Sequence, residues 1–338
     1  MDAGTPVARP GLRRLGVVVA TLLLLAALVE LGFRLRASEP WYERLEEEQG
    51  ATASGEGEGE GEKVEGRPFG IPAALAQPPK REGTYRILFL GDSFTFGSGV
   101  ADATRIFPSL VTAELDARGA AGAARIEHFN GGIPGSLTHR WVELLEAAGD
   151  SYRPDLVVAV FFLRDGTRFI GGSRAHIRRI GAQMAELART SWLFRHSHAY
   201  RYLRERRAQR EFSGEYLELM RRAYFGGAQE TFEWKRAQEN LLALRSASEA
   251  RGARFALVLF PVLFELDEHY PLADVCAEVD RFAAEHGFVY HSLLPAFLGQ
   301  DAPALWVSAL DQHPNERGHA IAARALADFL EPLVRDAH

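Results

Sequence analysis

Ile87-Leu88-Phe89-Leu90 is apolar at every position and stops at Gly91-Asp92-Ser93. A strand apolar on both faces must be covered on both faces, which a parallel sheet flanked by helices achieves and a one-sided antiparallel sheet does not. The pattern recurs: residues 125–129, 155–163, 254–260 and 288–291 read as further strands. Between them, 107–118, 139–148, 233–250 and 272–286 carry apolar residues at helical spacing. This alternation predicts an α/β protein, a three-layer α/β/α sandwich with a central parallel sheet. Ligands bind such sheets at the carboxyl ends of the strands, so Gly91-Asp92-Ser93 stands where chemistry is expected. Ser93, beside the amides of a helix start, suits a nucleophile that must meet a carbonyl and hold the resulting oxyanion. The same three residues also make an ordinary turn and helix cap.

The N-terminus adds a second constraint. Residues 15–33 are almost continuously apolar, with Arg9, Arg13 and Arg14 before them and Arg34 and Arg36 after. That length crosses a hydrocarbon core of about 30 Å. No small-x-small cleavage site follows directly, so the run reads as an uncleaved transmembrane anchor rather than a signal peptide, behind a short cytoplasmic tail at 1–14. Residues 34–83 read as a linker, because Glu46-Glu47-Glu48 and the alternating Gly/Glu run at 55–62 repel themselves and have nothing to bury. The folded domain is then expected over 84–338, extracytoplasmic and tethered to a membrane.

Composition narrows the function classes. A net charge of −6 on 338 residues gives no sign of a nucleic-acid partner. A single cysteine, Cys276, excludes an internal disulfide, and its amphipathic surroundings predict packing. Between the third and fourth strands lies an insertion, about 166–231, with eleven arginines from Arg168 to Arg210 interleaved with aromatics such as Trp192 and Tyr202. It reads either as a helical cap with solvated or paired arginines, or as a lid touching anionic lipid headgroups or an acidic polymer. His196 and His198 lack the carboxylate or cysteine support that a metal site needs.

Near the C-terminus, Asp311-Gln312-His313-Pro314-Asn315 precedes a helix opening near Glu316. Histidine is the side chain best matched to taking a serine proton near neutral pH, and a carboxylate beside it fixes its tautomer. Alone, Asp-x-His is an ordinary capping loop. Paired with Ser93 on the same edge of a parallel sheet, it becomes a candidate catalytic set.

On these blocks the chain resembles the SGNH (GDSL-like) hydrolases, of the membrane-anchored bacterial type, over most of residues 85 to 332. The first block is Gly91-Asp92-Ser93-Phe94-Thr95-Phe96-Gly97, the second Asn130-Gly131-Gly132-Ile133-Pro134-Gly135, and the last Asp311-Gln312-His313-Pro314-Asn315. The resemblance implies a flavodoxin-like sandwich, with Ser93 as nucleophile, His313 as base and Asp311 as its partner. It further implies an oxyanion hole from the amides of Ser93 and Gly132. The family's third block usually supplies an asparagine donor, and here Arg164 holds that position, within Phe161-Phe162-Leu163-Arg164-Asp165-Gly166, so that its guanidinium would be the third oxyanion donor. Asp165 reads as a turn former in preference to a partner for Arg164. Asp311 precedes His313 by two positions, where many family members have three.

The expected activity is hydrolysis of carboxylic esters borne by a small molecule, lipid or glycan, with no metal or organic cofactor. An O-acyltransferase acting on an envelope polysaccharide, or a non-catalytic module of the same fold binding a glycan or partner, are the alternatives. Nothing in the sequence speaks to oligomeric state.

Overall fold

The structure is a computed structural model and describes residues 10–36, 63–64, 66–167, 172–308 and 311–336. In chain order its elements are α1 (Pro10–Arg36), β1 (Lys63–Val64), β2 (Arg67–Pro68), α2 (Gly70–Leu75), β3 (Thr84–Gly91), α3 (Ser93–Phe96), α4 (Phe107–Ala117), β4 (Arg125–Gly132), α5 (Thr138–Tyr152) and β5 (Leu156–Phe162). There follow α6 (Gly172–Thr190), α7 (Trp192–His196), α8 (His198–Phe225), α9 (Phe232–Ala250), β6 (Arg254–Phe260), α10 (Ala273–Glu285), β7 (Tyr290–Ser292), α11 (Leu294–Phe297) and α12 (Glu316–Arg335).

The five long-range strands pair in the order β4-β3-β5-β6-β7, all parallel. Strand β5 is buried at every position and β3 at every position after Thr84, which is why both read as unbroken apolar runs. The chain leaves β3 toward one side of the sheet for β4 and returns to the other side for β5. Right-handed crossovers therefore send α4 and α5 to opposite faces. Helix α4 packs on α12, and α5 on α9 and α2. The reversal of direction lies between β3 and β5, and an open parallel sheet has its crevice at that point, beyond the strand ends. Gly91 is the last residue of β3 there.

The chain separates into two compact units. One comprises the described parts of residues 1–55 and 173–214, and the other those of 56–172 and 215–338. The second unit holds the sheet. Two expected boundaries shift as a result. The linker does not extend to 83: β1, β2 and α2 form within it, and Phe69, Ala73 and Ala74 are buried in the core of the sheet unit. The acidic run had masked these small apolar residues. The Arg-rich insertion is also shorter than 166–231, because Met220, Ala223 and Tyr224 at the end of α8 belong to that same core. The expected N-terminal tail lies partly, and the acidic run at 37–62 wholly, outside the described residues.

In the first unit, α1 contains Val17–Leu35, long and apolar enough to cross a membrane, with a mean hydropathy of 2.2 and none of it buried. A signal sequence would share these properties.

Candidate active site

The turn after β3 is fixed from several sides. Asp92 caps α3 by accepting the Phe94 amide on Oδ1 at 2.8 Å, while the amides of Gly97 and Ser98 both close on the Ser93 carbonyl at 3.0 Å. Asn130, near the end of β4, donates Nδ2 to the Thr95 carbonyl at 2.9 Å. Phe94 stacks on Phe162, the last residue of β5, with ring centroids 4.0 Å apart. Ser93 thus begins a one-turn helix whose position is set by three neighbouring strand ends. Its amide stands at the first helical position, where N–H groups have no intrahelical acceptor.

The partner loop is equally constrained. The Val307 amide donates to the His313 carbonyl at 2.9 Å, and Trp306 pairs with Pro314 in an isolated bridge. Asn315 caps α12 through Oδ1, which accepts from Arg317 and Gly318, and its Nδ2 donates to the carbonyls of Ala304 and Trp306. The loop holds His313 with Nε2 at 2.8 Å from Ser93 Oγ. Asp311 Oδ1 accepts both the His313 backbone amide, at 3.1 Å, and the ring Nδ1. The two-residue spacing therefore suffices for the carboxylate to reach the ring nitrogen facing away from Ser93. With a proton on Nδ1 directed to Asp311, Nε2 is left to accept the serine hydroxyl.

Two residues expected to hold the oxyanion already have partners. The Gly132 amide donates to Asn130 Oδ1 at 2.9 Å, and the residue is buried. A Cβ on Gly132 would stand 2.3 Å from the Phe96 nitrogen. Its lack of a side chain thus lets β4 approach α3, and an amide already donated inward does not fit the expected role. Beyond it Ile133 to Ser136 forms a turn, with the Ser136 amide on the Ile133 carbonyl at 3.0 Å and Gly135 exposed at φ 76°. Arg164, the other expected donor, directs Nη2 at Asp92 Oδ2, 2.9 Å away, and lies 3.6 Å from Asp165 Oδ1.

A profile of the GDSL-like Lipase/Acylhydrolase family matches residues 89–321. The chain belongs to this family. Among solved structures, an acetylxylan esterase from Geobacillus stearothermophilus, solved as a catalytic mutant, is 18% identical over 73% of this chain and 94% of its own, with a TM-score of 0.42. A lipase/acylhydrolase from Enterococcus faecalis is 15% identical over 74% of this chain and 97% of its own, also with a TM-score of 0.42. A comparison with curated proteins found no match.

Behind Ser93, this member of the GDSL-like family carries a buried charged cluster that sequence reasoning only partly anticipated. Asp92 is fully buried, and its Oδ2 lies 3.5 Å from Ser93 Oγ as well as against Arg164. Burial works to lower the Arg164 pKa, but Asp92 and Asp165 together outweigh it and hold the guanidinium above its ordinary value. Asp165 does form the turn, accepting the Phe162 amide on Oδ2 at 2.9 Å, while Oδ1 has no hydrogen-bond partner. Burial, reinforced by Asp92, pushes its carboxyl well above the usual carboxylate range. Burial also pushes the Tyr216 phenol up to about 12, with Arg164 opposing the shift and Asp165 and Asp92 adding to it. Tyr224, on the same helix, donates its hydroxyl to the Leu163 carbonyl at 2.6 Å. Tyr216 and Tyr224 were missed because they lie in the Arg-rich stretch. Their spacing of eight, two helical turns, was the available signal.

A cavity of about 360 Å³ lies elsewhere, at the opposite end of β3 and β4, lined in part by Arg86, Glu127, His128 and Tyr152. The Arg86 guanidinium there donates to Glu127 and to the carbonyls of Tyr152, Pro78 and Pro79. This charge is structurally employed, and the cavity is distinct from the strand ends that hold Ser93.

Proposed function

We propose that the chain is a serine ester hydrolase, tethered through α1 to a membrane with its sheet unit on the extracytoplasmic side. The observation that carries the catalytic reading is the 2.8 Å approach of Ser93 Oγ to His313 Nε2, with Asp311 on the far ring nitrogen. Val17–Leu35 supports the tether. Ser93 Oγ attacks the acyl carbonyl as its proton passes to His313 Nε2, and Asp311 stabilises the imidazolium. The proton then goes to the leaving alkoxide, giving free alcohol and an acyl-Ser93 ester. Water, deprotonated by the same nitrogen, attacks that ester and releases the carboxylic acid with Ser93 restored.

The oxyanion is assigned to the Ser93 amide and, from the second block, to Gly135 rather than Gly132. Gly135 is exposed at the turn that follows Gly132, whereas the Gly132 amide is already held by Asn130. Arg164 is read as the counter-ion of Asp92. Without it, the Asp92 carboxylate 3.5 Å from Ser93 Oγ would oppose the negative charge that forms on attack.

Replacing Ser93 with alanine tests the reading. The variant is expected to keep the wild-type melting temperature while losing hydrolysis of a short-chain aryl ester and labelling by a fluorophosphonate probe. Wild-type turnover in Ser93→Ala would overturn the assignment. Flotation of the full chain with vesicles, resistant to alkaline carbonate, tests the tether independently.

A further inference from the structure

Glu30 is the one acidic residue in the apolar stretch Val17–Leu35. A carboxylate in the middle of a spanning helix is costly, less so toward its ends. Here it is met by donors from the insertion. Ser197 Oγ donates to Glu30 Oε2 at 2.8 Å, and the amides of His198 and Ala199, the first two residues of α8, donate to the same carboxylate. An acid at a helix N-terminus is favourably placed for both its hydrogen bonds and the helix dipole. A few residues further on, Phe33 of α1 meets Tyr202 of α8 with ring centroids 4.9 Å apart. The apolar helix and the α7–α8 corner are thus joined at two points within one compact unit.

These contacts fix a depth. Glu30 precedes Leu35, the end of the apolar stretch, by five residues, or roughly 7–8 Å at 1.5 Å per residue. Helices that lie in a membrane interface are buried about 5–10 Å into the headgroup–acyl boundary. The corner therefore falls at that boundary, on the side where α1 ends, whichever way the chain crosses the bilayer.

Its surface suits the location. Trp192, Leu193, Tyr202 and Leu203 are exposed, Trp192 to 67% and Leu203 to 63%. Aromatic and aliphatic side chains of this kind populate membrane interfaces. Over residues 195–208 the sequence has five arginines and one acid, Glu205. Basic residues are drawn to an anionic membrane surface. We propose that the α7–α8 corner is a membrane-seated collar, inserting Trp192 and its apolar neighbours at the acyl boundary while its arginines engage anionic phospholipid headgroups. The proposal rests on the reading of α1 as a membrane span. Its consequence is that ester substrates embedded in or carried by the membrane meet a protein surface already seated there.

The test uses the full chain reconstituted into phosphatidylcholine vesicles with or without phosphatidylglycerol. The contribution of Trp192 to fluorescence is isolated as the difference from Trp192→Phe. Lipids brominated at shallow acyl positions are expected to quench this contribution more than deeply brominated ones, and more strongly when phosphatidylglycerol is present. Arg195→Glu with Arg206→Glu, both exposed, should remove the dependence on phosphatidylglycerol. Glu30→Ala should still float with vesicles but lose most of the Trp192 quenching. Flotation without Trp192 quenching in the parent chain would overturn the collar and leave the anchor standing. Equal quenching with and without anionic lipid would overturn the headgroup claim. An emission change with a soluble acidic polysaccharide but not with vesicles would assign the corner to a polymer instead. Failure to float would remove the anchor and the collar together.

Discussion

Arg164 Nη2 lies 2.9 Å from Asp92 Oδ2, and that oxygen lies 3.5 Å from the Ser93 hydroxyl. The substitution that departs from the family pattern is therefore coupled to Ser93 through a buried carboxylate. Removing one member of a buried ion pair typically costs about 3–5 kcal/mol, because the other charge is left without compensation. Arg164→Leu is expected to lose stability on that scale in denaturant unfolding. It should also lower kcat at least about tenfold, because the uncompensated Asp92 carboxylate would oppose the negative charge that develops on attack. Combining it with Asp92→Asn should restore part of both losses. Additive losses in the double variant would show that the pair is not coupled.

The spacing of Asp311 and His313 gives a second expectation. One carboxylate oxygen serves both the His313 backbone amide and its ring Nδ1. In Asp311→Asn the amide oxygen can still take the backbone N–H, so the loop should keep its shape. What is lost is the charge that favours the imidazolium and the acceptor that fixes its tautomer. A fall in kcat of about 10⁴-fold is expected, on the scale seen when a triad carboxylate is neutralised, with little change in melting temperature or KM. A comparable fall in melting temperature would make Asp311 a structural residue instead.

Much of this arrangement was legible in the sequence, for identifiable reasons. Strands β3, β5 and β6 are buried on both faces, so their apolar runs declare themselves without reference to partners. That Ser93 and the Asp311–His313 pair lie together was legible because both loops stand at the same edge of a parallel sheet. The role of Gly132 was not. Which glycine of Gly131-Gly132-Ile133-Pro134-Gly135 offers a free amide depends on Asn130 Oδ1 having taken the Gly132 N–H, a tertiary fact with no periodic trace. The partner of Arg164 was hidden likewise, because Asp92 lies 72 residues away in sequence. The ordered segment from β1 through α2 was hidden by composition. Few large apolar residues stand beside a long acidic run, yet Phe69 reaches the core.

Two buried histidines make stability depend on pH on the acid side. Burial first, then the charges of Arg67 and His313, lowers the His319 pKa from 6.5 to about 3. Burial lowers that of His128 from 6.5 to about 4. Between those values and 6.5 the unfolded chain binds protons that the folded chain does not, so stability falls as pH falls. The slope approaches about 1.4 kcal/mol per pH unit for each histidine. His319→Gln should flatten the dependence of melting temperature on pH between about 4 and 6, and an unchanged slope would remove His319 as its source. Asp165 acts oppositely. Its raised carboxyl pKa stabilises the folded state at low pH, and that contribution is lost as pH rises through the folded value. Asp165→Asn should therefore improve stability most on the alkaline side.

The two glycines of the second block should separate structure from catalysis. In Gly132→Ala the new Cβ would stand 2.3 Å from the Phe96 nitrogen and 2.8 Å from the Thr95 carbonyl carbon, both backbone atoms that cannot swing aside. Accommodating it requires β4 to move away from α3, the helix that Ser93 begins. Gly135 meets nothing within 4 Å, and its difficulty is only the left-handed backbone at φ 76°, which costs a residue with a side chain about 1–2 kcal/mol. Gly132→Ala is therefore expected to lose both thermal stability and fluorophosphonate labelling of Ser93. Gly135→Ala should melt within a few degrees of the parent and still label, while turning over ester more slowly as the turn shifts the amide assigned to the oxyanion. Calorimetry and labelling rates measured on both variants decide the matter. Parent-like labelling and melting in Gly132→Ala would show that β4 and α3 are not in the contact described, and parent-like turnover in Gly135→Ala would return the search for the second oxyanion donor to the remaining amides of the site.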